Sequence, residues 1–162
     1  MIRVGDRLPA ATLRVKTDYG TAKALSTEAL FAGQRVVLVG VPGAFTSTCH
    51  NAHVPQFVAN VDAIKGKGID RIAVVAVNDH HVMKAWCQTL GADGKVDFLA
   101  DGNGEFARAM GLEIDLTGGG LGHRCKRFSA LVEDGIVKSL NFEPEGSTGI
   151  STTGAAVMIE QI

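Results

Sequence analysis

The 162 residues are 46% hydrophobic, enough to bury one medium-sized core over residues 1–162 and too few for two domains of ordinary size. Sixteen Lys and Arg stand against 17 Asp and Glu, which excludes the one-signed field that draws a protein to nucleic acid or an anionic membrane. A small ligand, which need not carry charge, fits better.

No apolar run approaches the roughly 20 residues that span a bilayer, and the opening MIRVGDRLPAATL lacks the apolar core of a secretory signal. A cytosolic protein is therefore expected. Cys49, Cys87 and Cys125 form no CxxC pair, and their odd number in a reducing compartment predicts separate thiols rather than a disulfide framework.

Residues 36–41 (VVLVGV) and 72–77 (IAVVAV) are nearly unbroken apolar, as strands buried on both faces must be, and are expected side by side in the middle of a sheet. Between them, Val54, Phe57, Val58, Val61 and Ile64 recur at helical spacing within residues 47–67, with Thr46 or Ser47 as cap. Pro55 has no N–H for the carbonyl of Asn51, which predicts a kink. A second helix is expected over residues 79–90, capped by Asp79, with Val82, Met83, Trp86 and Leu90 as its apolar stripe.

A strand over residues 96–100 follows, then a short helix over residues 105–110 closed by Gly111. Residues 118–122 (GGGLG) are a loop that lacks the Lys-Ser/Thr of a phosphate cradle. Residues 128–132 and 136–140, joined by Glu133-Asp134-Gly135, predict a hairpin, and residues 151–162 a terminal helix with Ala155, Met158, Ile159 and Ile162 inward. The alternation of apolar β-rich runs with amphipathic stretches places the chain among α/β domains with a central sheet.

The chemistry concentrates in Pro42-Gly43-Ala44-Phe45-Thr46-Ser47-Thr48-Cys49. A helix starting near Ser47 puts Cys49 in its first turn, where free N–H groups and the helix dipole favour a thiolate and can hold a substrate oxygen. Thr46, three residues earlier, brings a hydroxyl that both donates and accepts, and Pro42 stiffens the loop and screens the sulfur. Gly43, Phe45 and Thr48 complete the expected pocket lining.

The pattern Pro42-x-x-x-Thr46-x-x-Cys49 resembles the active-site signature of the peroxiredoxins. The stretches GVPGAFTSTCHNAHVPQF, AVNDHHVMKAW, FLAD and KRFSALVEDGIVKSLNFEP are similar to the peroxiredoxin-five branch, which includes the plant type-two enzymes. The resemblance implies a thioredoxin-like fold, with a central mixed sheet flanked by helices and an N-terminal β-hairpin. It implies a thiol peroxidase that needs no cofactor, reducing small hydroperoxides through Cys49, and a homodimer with Phe45 and the loop at 118–122 as contacts.

Arg127 sits at the family's arginine position, where a permanently charged guanidinium favours the thiolate and holds peroxide oxygens in line. Arg124 is its neighbour in a glycine-rich loop, with an exposed role expected. His53, four residues after Cys49, matches a histidine frequent in this branch and is expected to line the site. Relatives with a second catalytic cysteine carry it at the position of Val74 or near Ser151-Thr152-Thr153, and this chain has none there. The sulfenic acid on Cys49 is then expected to be reduced by an external thiol, either thioredoxin or glutathione with glutaredoxin.

Cys87, beside an inward stripe, is expected to pack in the core; Cys125 shares strand parity with Arg127 if the strand already begins there, which would aim it at the pocket. A zinc site built from His80 and His81 together with Cys49, His50 and His53 is disfavoured because the spacings are poor, and His80-His81, far along the chain at a helix start, are adjacent residues whose side chains diverge. The competing reading is a redox-sensing module that signals through Cys49 oxidation without sustained turnover. A disulfide oxidoreductase is disfavoured by Thr46 standing where a CxxC partner would be.

Overall fold

The computed structural model describes residues 1–18 and 21–162. Its centre is the pair expected from the two apolar runs: β3 (Arg35–Gly40) lies parallel to β4 (Arg71–Ala76). β5 (Asp97–Ala100) joins parallel to β4, while β8 (Phe128–Glu133) and β9 (Ile136–Phe142) add antiparallel strands beyond β3. On the other edge stands the hairpin of β1 (Thr12–Asp18) and β2 (Thr21–Ser26), giving a mixed seven-stranded sheet in the order β2-β1-β5-β4-β3-β8-β9.

Two-residue alternation along the central strands divides the core into two layers. Val37, Val39, Ile72 and Val74 face the helices α2 (Val54–Ala59), α3 (Val61–Lys65), α4 (His80–Thr89) and α6 (Ala155–Gln161) through Phe57, Ile64, Trp86 and Met158. Val36, Leu38, Ala73 and Val75 face the opposite layer, with Phe31 of α1 (Thr27–Phe31) and Phe106 of α5 (Glu105–Ala109). Each fully enclosed side chain of this size stabilises the fold by about 1.5–3 kcal/mol before the entropy of ordering it is set against that gain.

Local chemistry fixes the ends of these elements. Asp79 caps α4 by accepting from the Val82 amide at 2.9 Å, as its position predicts. The β8–β9 turn places Asp134 at φ 49° and Gly135 at φ 77°, the two left-handed residues that a tight hairpin needs. The terminal helix is shorter than expected and starts at Ala155, because Ser151 and Thr153 spend their amides and hydroxyls on the carboxylate of Glu143.

The expected helix over residues 47–67 is broken into pieces. Cys49–His53 form a π-turn, in which the Val54 amide donates to the Cys49 carbonyl, one residue further back than in an α-helix. The wide turn immediately precedes Pro55, so the proline's missing N–H is absorbed there rather than by a simple kink. A second break falls at Asn60, whose side-chain amide takes the Gln56 carbonyl at 2.7 Å.

A small ladder unanticipated from the sequence pairs β6 (Glu113–Asp115) with β7 (His123–Cys125), and the glycine-rich loop at 118–122 is its tip. Because β7 belongs to this second ladder and residues 126–127 lie outside any strand, the parity between Cys125 and Arg127 does not carry across. Cys125 is buried in the layer of Phe31 and Phe106, on the other side of the sheet from Cys49. The condition under which Cys125 would face the pocket, a strand continuous with Arg127, is not met.

Candidate active site

The register of β3 and β8 sets the stage. Gly40, the last residue of β3, pairs with Phe128, the first of β8, so the antiparallel chain preceding Phe128 runs out over Val41 and Pro42. Arg127 is delivered from this two-residue link rather than from a strand proper. Lys126 goes the other way, its ammonium 5.0 Å from the ring centre of Phe142.

The Arg127 guanidinium spans two partners. Nη2 donates to Cys49 Sγ at 3.3 Å, and Nη1 lies 2.8 Å from Nδ1 of His53. Cys49 is 1% exposed, belongs to the core cluster that holds Val41, Val54 and Phe57, and meets a fixed cation at its sulfur. A charge next to a buried sulfur in a low-dielectric layer acts far more strongly than it would in water. Cys49 is the third residue of the helical stretch that starts at Ser47, as the sequence predicts.

His53 is fully enclosed, and both ring nitrogens are engaged: Nε2 is 2.9 Å from the Thr153 carbonyl. An arginine only donates, so Nδ1 must accept and the ring proton belongs on Nε2, where it donates to Thr153. Burial pushes the pKa of His53 down to about 4, against the opposing Thr153 hydrogen bond and with a further push from Arg127. His53 thus hydrogen-bonds to the guanidinium that faces Cys49, from a fully buried position.

The loop before Cys49 is tied from several sides. Thr46 donates its hydroxyl to the Gly43 carbonyl at 2.7 Å, the Ala44 amide donates to Asn78 Oδ1 at 2.9 Å, and Arg124 Nη1 donates to the Pro42 carbonyl at 3.3 Å. A methyl group at Gly43 would lie 2.6 Å from Arg124 Nη1, so only glycine lets that guanidinium approach. Arg124 is half-buried and anchored to the loop, which corrects the exposed role expected for it. Asn78 was a missed participant; its signal is a single Asn directly behind a buried strand.

Phe45 adopts φ 63°, a left-handed conformation that a bulky residue holds only when its surroundings impose it. Its ring stacks on His50 at 5.6 Å, and His50 Nδ1 accepts from the indole of Trp86 at 3.0 Å. Thr48 reaches the Thr148 carbonyl at 3.3 Å.

His50 Nδ1 is held by Trp86 and both His53 nitrogens are engaged; among the described residues no group of three or more His, Cys, Asp or Glu is placed to hold a metal. His80 and His81 differ from the expectation that adjacent side chains diverge: their rings lie 4.2 Å apart, and His81 meets Lys16.

The other two thiols lack such surroundings. Burial, with a contribution from Asp93, pushes Cys87 up to about 11, and its Sγ faces the Val96 carbonyl. Burial pushes Cys125 up to about 12, with Asp101 adding to it. All three cysteines are free.

The Redoxin family model matches residues 3–157. Peroxiredoxin-2C of Oryza sativa is 45% identical over 150 residues, covering 93% of each chain. The chloroplastic Peroxiredoxin-2E of Arabidopsis thaliana is 46% identical over 149 residues, which span 90% of this chain and 64% of that one. Reduced Prx3 of Vibrio vulnificus, solved in complex with H2O2, superimposes with a TM-score of 0.92 at 40% identity, covering 99% of this chain and 98% of that chain. The thioredoxin-like fold, the matched family model and these identities together place the chain in the redoxin family, among the peroxiredoxins.

Proposed function

We infer that this chain is a thiol-dependent peroxidase in which Cys49 is the sulfur that meets the peroxide. The observation that carries the reading is the Arg127 guanidinium donating to Cys49 Sγ at 3.3 Å, on a chain whose relatives are peroxiredoxins. The Cys49 thiolate attacks one peroxide oxygen, an S–O bond forms as the O–O bond breaks, and the leaving oxygen departs as water or alcohol after taking a proton. Arg127 holds the oxygens and balances the charge, while Thr46, Pro42, Gly43, Phe45 and Thr48 shape the entrance.

The substrates proposed are hydrogen peroxide and small alkyl hydroperoxides, supported by the H2O2 complex of the Vibrio relative. An external thiol then attacks the sulfenic acid, releasing water and leaving a mixed disulfide; a second thiol returns Cys49 and carries away the disulfide. Thioredoxin, or glutathione with glutaredoxin, is the proposed donor. Support comes from Cys125 lying in the opposite layer and from Cys87 facing the Val96 carbonyl.

A homodimer is proposed through Phe45 and the loop at 118–122, supported by the exposure of Phe45 (47%) and Leu121 (38%). Three free cysteines suit a reducing compartment, for which the cytosol is our proposal. Peroxide consumption measured side by side with the thioredoxin and the glutaredoxin systems tests this account; activity with neither, at stoichiometric oxidation of Cys49, would turn the reading to redox sensing.

A further inference from the structure

Behind the reacting sulfur runs a chain of contacts that ends on a carboxylate remote from any peroxide. Glu143 directly follows β9, and five hydrogen bonds converge on it. Oε1 accepts from the Ser151 amide (2.9 Å), the Thr153 amide (2.9 Å) and the Thr153 hydroxyl (2.6 Å). Oε2 accepts from the Ser151 amide (3.1 Å) and hydroxyl (2.7 Å). Burial pushes the acid up, but the bonds from Thr153 and Ser151 outweigh it and bring Glu143 to about 2, so it is ionised at neutral pH.

The grip on Thr153 is two-sided, through its amide and its hydroxyl, and anchors the residue whose own carbonyl lies across the same Cα. That carbonyl is the acceptor of His53 Nε2–H at 2.9 Å, and Thr153 and His53 are both fully buried. An imidazole whose Nε2 proton is held by a carbonyl has its other lone pair aimed in one direction. It meets Arg127 Nη1 at 2.8 Å, and the same guanidinium reaches Cys49 with Nη2.

We propose that Glu143 is a positioning residue of the peroxide-reducing site, acting through Thr153 and His53 to set the guanidinium of Arg127 on Cys49. The inference rests on the peroxidase reading above. It makes the loop from Glu143 to Thr153 part of the site's machinery, although Glu143 touches neither sulfur nor substrate. A loop clamp of purely structural value would use the same five bonds, so the two roles must be separated by coupling rather than by loss of activity alone.

The test is a double-mutant cycle with Glu143→Ala and Arg127→Gln, reading the second-order rate of Cys49 oxidation by hydrogen peroxide. With Arg127 present, Glu143→Ala is expected to slow oxidation about 10-fold; with Arg127→Gln the same change should alter it less than about twofold. Equal losses in both backgrounds, or no loss with Arg127 present, overturn the proposal. Thr153→Val, which keeps the carbonyl and removes one bond to Glu143, supplies the same cycle should Glu143→Ala fail to fold.

Nitrogen NMR of His53 gives a readout independent of activity. Wild-type protein should show the single Nε2–H tautomer, and the Glu143 or Thr153 variant a mixture of tautomers; an unchanged ring signal overturns the proposal. Absence of peroxide consumption by the wild type would instead strike the peroxidase reading, leaving the tautomer signal to report on positioning.

Discussion

Two cysteines lie at nearly equal depth on opposite faces of one sheet, Cys49 at 1% exposure and Cys125 at 2%. Cys125 donates to its neighbour's carbonyl, 3.3 Å from its sulfur, and burial pushes its pKa up to about 12. Cys49 has a guanidinium at the same distance of 3.3 Å. At equal depth the two sulfurs differ in the group that faces them, a backbone carbonyl for Cys125 and a permanent cation for Cys49.

The largest expected effect removes the distinguished sulfur. Cys49→Ser should bring peroxide consumption down to the uncatalysed rate with either reductant system, whereas Cys125→Ser and Cys87→Ser should leave the peroxide-reducing step within about twofold. Any substantial loss of that step in Cys125→Ser at intact fold would erase the contrast drawn here.

Next comes the charge itself. Arg127→Gln keeps a side chain able to reach the site and removes the cation, and should lower kcat/KM for hydrogen peroxide by about 10²-fold. Gly43→Ala is a gentler probe, because its methyl would displace Arg124 and so shift the loop without touching Arg127. We expect a loss of roughly 10-fold, smaller than the about 10²-fold that an ångström of misplacement can cost.

The pH dependence of stability sharpens the comparison through His53, whose neutral form is required between Thr153 and Arg127. Its folded pKa of about 4 lies below its ordinary 6.5, so the unfolded chain binds the extra proton between these values. The stabilisation is present above pH 6.5 and is lost as pH falls toward 4, amounting to roughly 3 kcal/mol. Urea titrations should show this acid slope in the wild type and a flatter one in His53→Gln. The smallest expected effect is on stability alone: Cys125→Ser, by placing a hydroxyl in an apolar layer, should cost about 1–3 kcal/mol without altering peroxide reduction.

Much of this arrangement was legible in the residues. The unbroken apolar runs marked β3 and β4, the Asp-Gly pair marked the β8–β9 turn, and the step from Pro42 to Cys49 marked the segment proposed to react. Of the contacts between residues distant in the chain, the Arg127–Cys49 pairing was expected from the family resemblance, and the others escaped. No local pattern reveals that Arg124 reaches the Pro42 carbonyl, that Asn78 holds the Ala44 amide, or that Glu143 gathers Ser151 and Thr153. The π-turn at Cys49–His53 escaped for a different reason, since it needs the same residues as an α-helix and differs only in which carbonyl each amide selects.

The central claim is that a facing cation singles out one of three buried thiols. Exposing the reduced protein to one equivalent of hydrogen peroxide, trapping sulfenic acid with dimedone and mapping the adduct by mass spectrometry tests it directly. The account predicts the label on Cys49 alone, with its rate of appearance falling about 10²-fold in Arg127→Gln. A label distributed over Cys87 or Cys125, or a Cys49 rate indifferent to Arg127, would contradict it.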